Sequence, residues 1–253
     1  MIIKPLEITL MCLNTNDLFN DEKSNTIQQF IDNMPTSIGI KDFTSQYLIG
    51  NNFLAKLAGL SNSQALKKRY DDELNWQAKQ IAHLFIAEDT LVMKQNRAIT
   101  VLSYGIYANN KLFLGYGKKY PVLDKKGATI GCGFCLQDVI NSQLINLAPL
   151  LSLRNTAYGN RQLGDQFSYI ITESIPEYDL SKRQIECLFH LLRGQSANDI
   201  AITLHISKRT VETHIDAIKY KLGCDTKLQL IDKAISTGLL NYIPSSLITT
   251  KIK

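Results

Sequence analysis

Between Leu180 and Leu230 the apolar residues fall at helical spacing in a series of short runs, and this stretch limits the fold more than any other. In LSKRQIECLFHLLRG, Ile185, Leu188, Phe189 and Leu192 stand at i, i+3, i+4 and i+7, the pattern of one buried helical stripe. Gly194 is placed to end that helix, because a helix C-terminus favours a residue free to turn left-handed. Ser196 is placed to cap a second helix, with Asp199 near its positive end, and Ile200, Ala201 and Leu204 form its inner face. Ser207 is placed to cap a third, in which Val211, Ile215, Ile218 and Leu222 are apolar at i, i+4, i+7 and i+11. Two short helices, a tight turn and a capped third helix are the pattern of a helix-turn-helix, whose last helix enters the major groove of DNA.

With that apolar stripe facing inward, Arg209, Glu212, Thr213, Asp216 and Lys219 occupy the other side of the third helix. Lys208 and Arg209 sit in its first turn, where cations oppose the helix dipole. Nearby phosphates explain that placement, and the turn from Ser207 to Thr210 offers free N–H groups as a backbone anchor. Glu212, Thr213 and Asp216 are then aimed at base edges: carboxylates accept from cytosine amino groups, and threonine packs on the thymine methyl. Lys182, at the start of the first helix, completes the candidate contact set. A solvated charged face is the plain alternative for any one of these residues; the surrounding helical pattern favours DNA.

LSKRQIECL, GQSANDIA and LHISKRTVETHIDAIKYKLG resemble, in order, the elements of the LuxR/FixJ-type DNA-binding domain. The resemblance implies a recognition helix over 207–222 in the major groove. It also implies a fourth helix over roughly Thr226 to Thr237 that pairs two such domains on a two-fold site in double-stranded DNA. Glu212 and Asp216 stand where the family often has Lys or Arg, which points to weaker binding and a different half-site.

The chain has 253 residues, room for two modest domains. Its formal charge of +5 is spread along it: residues 177–253 carry 11 Lys/Arg against 8 Asp/Glu, and the first 136 carry 15 against 12, a net of +3 in each. The total therefore decides little about nucleic acid, and the motif decides. No run approaches the ~20 apolar residues of a spanning helix. The start, MIIKPLEITLMCLN, lacks a signal-peptide plan, so a cytoplasmic protein with no membrane partner is expected. Five cysteines without framework spacing fit a reducing compartment. Cys132 and Cys135 form a C-x-x-C, but in the strand-like ATIGCGFCLQ such residues point to opposite faces, against a shared metal.

The first half reads as α+β. SIGIKD (37–42) and QYLIGN (46–51) are strands joined by a turn, and FLAKLAGL (53–60) is a short helix. NWQAKQIAHLFIAEDTLVMKQ holds a longer helix with Ile81, Leu84 and Phe85 inward, followed by three strand-like runs up to ATIGCGFCLQ, with turns at Asn109-Asn110 and Lys125-Lys126-Gly127. Strands, short helices, then three antiparallel strands make a sheet with helices packed on one face. MPTSIGIKDFTSQYLIGNNFLAKLAGL and KKYPVLDKKGATIGCGFCLQDV are similar to the opening and closing segments of a PAS domain, which implies a sensor pocket between sheet and helices for a small-molecule or protein signal. The cofactor is left unknown. His83, on the long helix, is where haem-binding relatives place an axial ligand, though a lone His is more often simply packed or exposed. GNNFLAKLAG has no Cys for a photoreactive flavin site. Trp76 with Tyr70, Asp71 and Asp72 resembles the acyl-homoserine-lactone pocket of other LuxR-type regulators, but an ordinary amphipathic-helix tryptophan is the simpler reading.

Ile27, Phe30, Ile31 and Met34 form a stripe on a helix capped near Ser24 or Asn25, and Ile140, Leu144, Leu147 and Leu151 form a second, cut by Pro149; either suits a homodimer contact or the monomer core. The expected layout is an N-terminal extension over 1–29, a PAS-like sensor over 30–139 and a linker with an amphipathic helix over 140–176, in which Phe167 to Ile171 is strand-like. An all-α four-helix DNA-binding domain over 177–243 and a tail over 244–253 follow. The four histidines form no H-E-x-x-H or triad pattern, so no catalytic residues are assigned and an enzyme is not expected. The expected function is a signal-gated transcriptional regulator; the rivals are an acyl-homoserine-lactone-type regulator and an adaptor that uses the same helices without DNA.

Overall fold

The computed structural model describes residues 21–140 and 167–249. By packing, the described residues divide into two units, 21–140 with 167–168 and 169–249.

The first unit runs α1 (Asp21–Asp32), β1 (Ser37–Asp42), β2 (Tyr47–Gly50) and α2 (Asn52–Leu57); after three 3-10 turns come α3 (Ala82–Gln95), β3 (Ile99–Ile106), β4 (Leu112–Leu123) and β5 (Thr129–Asp138). Its strands are antiparallel in the order β2-β1-β5-β4-β3, so the first hairpin joins the last strand and the helices lie between β2 and β3 in the chain. This is the PAS-like arrangement that the sequence resemblance implies. Two aspartates shape its hairpins: Asp42 Oδ1 accepts from the N–H of Thr44 and Gln46, and Asp124 Oδ1 from those of Lys126 and Ala128. Asn51, fully buried, caps α2 by accepting from Leu54 N at 3.1 Å and donates to Ile31 O and Thr36 O, tying α1, β1 and α2 at one point. Gly117 lets β4 lie close on β5, since a Cβ there would fall 2.0 Å from Cys135 O.

Alternation along β1 divides its side chains between two faces. Ile38 and Ile40 pack with Ile31, Ile49 and Val122, so α1 covers one face of the sheet. Ser37 and Lys41 face a cavity with Tyr47 and Phe85, so α3 covers the other; helices lie on both faces, not on one. Helix α1 begins at Asp21, earlier than a cap at Ser24 or Asn25, and of the expected stripe only Ile31 is buried while Phe30 is 63% exposed. Gln28 is buried instead, because its amide donates to Gly50 O at 2.8 Å and fixes the rotation of the helix. On α3, Phe85 is buried as expected, Ile81 just precedes the helix and Leu84 is only half-buried; Glu88 and Asp89 take the inner positions. Cys132 is buried on the α3 side near Asp89, whereas Cys135 packs with the Ile31 and Ile38 cluster, so the two thiols diverge.

The second unit holds β6 (Phe167–Thr172) from Tyr169 onward, then α4 (Lys182–Leu191), α5 (Ala197–Leu204), α6 (Lys208–Leu222), α7 (Lys227–Ser236), β7 (Tyr242–Pro244) and α8 (Ser245–Thr249). Ser181, Ser196, Ser207 and Thr226 each cap a helix by accepting from the N–H three residues on. The expected stripes on α4, α5 and α6 are buried together, from Ile185 and Leu188 through Ile200 to Val211, Ile218 and Leu222. The unit is not purely helical. β6 pairs in parallel with β7 through Ile170–Tyr242 and Ile171–Ile243, Ile243 is 0% exposed, and Ile248 is 4% exposed where a tail is expected from residue 244. Strand β7 is too short to carry a period, so only the parallel partner reveals it.

Leu144, Leu147, Leu151 and residues 152–166 of the expected linker lie outside the described residues. No described helix is long and apolar enough to cross a membrane.

Candidate nucleic-acid interface and sensor cavity

The outward face of α6 is built from its cap. Ser207 Oγ accepts from Thr210 N at 3.0 Å and lies 2.8 Å from the Thr210 hydroxyl, leaving the N–H groups of the first turn directed outward. Lys208, Arg209, Thr210, Glu212, Thr213 and Asp216 are exposed, and Lys219 is partly exposed, above the buried stripe of Val211, Ile215, Ile218 and Leu222. The charges pair along the helix: Lys208 with Glu212 at 3.7 Å, and Lys219 with Asp216 at 2.9 Å. Such exposed pairs are worth at most about 1 kcal/mol and break readily for a phosphate. Among the described residues Arg209 has no ion pair, so it is the cation already free to meet the DNA backbone. Thr213 Oγ1 donates to Arg209 O at 2.9 Å, so its hydroxyl proton serves the helix and its methyl remains for apolar contact.

The first unit holds a narrow cavity, partly open to solvent, between the sheet and α3. Its polar side is a chain of buried charges. Lys41 Nζ lies 2.5 Å from Asp71 Oδ2 and 3.0 Å from Asp89 Oδ2. Lys119 Nζ lies 2.6 Å from Asp89 Oδ1 and donates to Phe85 O at 3.1 Å. Tyr47 donates to Asp71 Oδ1 at 2.7 Å. Burial by itself would lower both lysines, but the facing carboxylates outweigh it and hold them above the ordinary lysine range. Asp89 is opposed by its own burial, yet Lys119 and Lys41 pull it down to about 2. Burial raises Glu88 above the carboxylate range, with Lys119 and Ser168 holding it part-way back. Lys119 Nζ lies 3.0 Å from Glu88 Oε2, but neither Glu88 oxygen has a hydrogen bond of good geometry, so this contact is an ion pair only. The apolar side is aromatic: Trp76 packs edge-on to Tyr107 at 4.9 Å, Tyr107 packs on Phe113 at 5.3 Å, and the Trp76 indole donates to Asp71 O at 2.8 Å. Aromatic walls with a few fixed polar groups suit a small ligand.

Residues 179–234 match the family model GerE, described as bacterial regulatory proteins, luxR family. The second unit carries a LuxR-family helix-turn-helix domain. The chain is 36% identical over 70 residues to the transcriptional activator protein AhyR of Aeromonas hydrophila, a match covering 28% of this chain and 27% of AhyR. It spans about a quarter of the length of AhyR and of its counterpart AsaR from Aeromonas salmonicida. A longer match is to the transcriptional activator protein LuxR of Aliivibrio fischeri, 28% identical over 199 residues, covering 72% of this chain and 74% of LuxR. Among solved structures, the Vibrio cholerae VqmA dimer is 25% identical with a TM-score of 0.46, covering 89% of this chain and 92% of that one. The phage VqmA–DPO complex is 28% identical with a TM-score of 0.46, covering 91% and 94%.

Within the LuxR-family domain the structure gathers Ser207, Lys208, Arg209, Thr210, Glu212, Thr213, Asp216 and Lys219 on one helix. Lys182 is not among them: it lies at the start of α4 and pairs with Glu173 at 3.5 Å. Lys221, in the last turn of α6, is the cation that pattern reading passes over; it pairs with Asp179 at 3.2 Å and donates to Gln184 Oε1 at 3.1 Å, tying α6 to the start of α4. Its only sequence signal is the favourable place of a cation at a helix C-terminus. His83 is exposed on α3, away from the Phe85, Glu88 and Asp89 face, so it is not presented to the cavity as an axial ligand. Trp76 is corrected in the other direction: it opens a 3-10 turn and lines the cavity instead of sitting on an amphipathic helix. Lys41, Glu88, Asp89 and Lys119 escape sequence reading because they are scattered over the chain, and only the fold collects them around Asp71.

Proposed function

We propose that the chain is a DNA-binding transcriptional regulator of the LuxR type, acting as a homodimer in the cytoplasm by binding and not by catalysis. Helix α6 is its major-groove reader, and a signal held in the PAS-like cavity gates it. The single observation that carries this reading is the capped α6, with Arg209, Thr210, Glu212, Thr213 and Asp216 exposed above a fully buried apolar stripe. Relatives named as transcriptional activators support it. Leu228 on α7 and Tyr220 near the end of α6 are 63% and 87% exposed, apolar surface suited to pairing two such domains, whose heads would then meet half-sites about one helical turn, roughly 34 Å, apart.

The deciding experiment is fluorescence anisotropy with random duplex, then with sites selected from a random pool, across a range of salt. Wild type is expected to bind with a steep salt dependence and to select a two-fold site. Absence of duplex binding at low salt would leave the adaptor reading standing. The signal fits a small molecule without negative charge, because three buried carboxylates already face two lysines and a further buried anion would lack a partner. Trp76 is the only tryptophan and lines the cavity, so a ligand screen that includes DPO, the molecule in the phage VqmA complex, is read by its fluorescence.

A further inference from the structure

Ser103 on β3, a cavity-lining side chain, reaches a buried hydroxyl on β6. Ser103 Oγ lies 2.6 Å from Ser168 Oγ, and both serines are buried, 2% and 1% exposed. Ser168 occupies a particular point in the chain. Phe167 and Ser168 pack with the sensor unit, where the Phe167 ring also stacks on Tyr104 at 5.3 Å, and from Tyr169 onward β6 belongs to the unit that carries α6. Ser168 is therefore the residue of β6 at which the strand passes from the sensor to the LuxR-type unit.

Ser103 makes this hold conditional: a ligand that bonds to Ser103 draws on the same group that holds Ser168.

We propose that Ser168 is the positioning residue through which the cavity controls the LuxR-type unit. Ser103 clamps its hydroxyl when the cavity is empty, and a ligand engaging Ser103 loosens that clamp on β6. The proposal rests on the regulator reading above and adds a residue path to it. An acceptor group in the ligand competes for the Ser103 hydroxyl and leaves Ser168 without that partner.

The test uses the full-length chain without ligand and two readouts: hydrogen–deuterium exchange of the peptide spanning β6, and affinity for random duplex. Ser103→Ala and Ser168→Ala are expected to speed exchange of residues 169–172 by about fivefold, the worth of one neutral hydrogen bond, and to change duplex affinity by a similar factor. Ser103→Thr and Ser168→Thr, which keep the hydroxyl, are expected to restore both. The double variant Ser103→Ala/Ser168→Ala removes the pair without orphaning either member and guards against misfolding. Thr90→Ala removes a hydroxyl from the exposed side of α3 and is expected to change neither readout. Unchanged β6 exchange in the alanine variants, or equal changes in Thr90→Ala, overturns the proposal. If wild type binds no duplex, the regulator reading fails, while β6 exchange still decides whether the clamp exists.

Discussion

Arg209 and Asp216 have opposite expected effects on DNA binding, because one is a free cation and the other neutralises a cation. Arg209→Ala is expected to weaken binding to all duplexes alike and to reduce the slope of log affinity against log salt by about 1, since one phosphate contact is lost. Asp216→Ala releases Lys219 and removes a negative charge facing phosphate, so affinity for random duplex is expected to rise about threefold, with a steeper salt slope. Unchanged slopes in both variants, measured by anisotropy, would move the contact surface off α6. His190 supplies a pH effect. Its burial, with the nearby Arg193 charge, lowers it to about 4 from the ordinary 6.5, against the opposing pull of Glu186. The unfolded chain takes up a proton below pH 6.5 that the folded chain refuses, so this contribution is complete above pH 6.5 and is lost as pH falls toward 4. It amounts to about 1–2 kcal/mol. His190→Leu is expected to flatten urea-unfolding stability over that window.

At the scale of elements, the helices of the LuxR-family domain begin at capping residues visible in the sequence, and each cap is worth about 1 kcal/mol. The strand β7 is the contrasting case. It holds its place through three residues opposite β6 and through the burial of Ile243. Ile243→Ala is expected to destabilise the second unit by about 2–4 kcal/mol, a cost typical of emptying a full core site. A urea midpoint equal to that of wild type would mean that residues after Asn241 contribute nothing to the unit.

The whole molecule is expected to lose its two units to acid at different pH. His190 weakens the second unit between pH 6.5 and 4, whereas Asp89, held at about 2 against an ordinary 3.8 by Lys119 and Lys41 despite burial, supports the first unit until pH falls through 3.8 toward 2. Trp76 reports only the first unit, so its fluorescence is expected to change at lower pH than the far-ultraviolet circular dichroism of the helices. Coincident transitions would show that the units unfold together. Removing one partner of the buried cluster is a harsher change: Lys119→Ala leaves Asp89 and Glu88 facing each other with one cation fewer, and is expected to cost the first unit about 3–5 kcal/mol in urea unfolding.

By itself the sequence determined the LuxR-family helices, their caps from Ser196 to Thr226 and the inward stripe of α6, because helical period and capping are local properties written within a few residues. It also determined the strands of the first unit, and the divergence of Cys132 from Cys135 followed from alternation alone. Only the tertiary structure decided which face of β1 meets the cavity. There Lys41 is buried beside Asp71 and Asp89, residues 30 and 48 positions away, and a lone lysine in SIGIKD carries no sign of partners so distant. The same holds for Phe30, left outside because Gln28 bonds to Gly50, and for Trp76, whose neighbour Tyr107 comes from the end of β3. Charge pairing and aromatic contact act through space, so residues remote in the chain become neighbours only after the sheet has closed over α3.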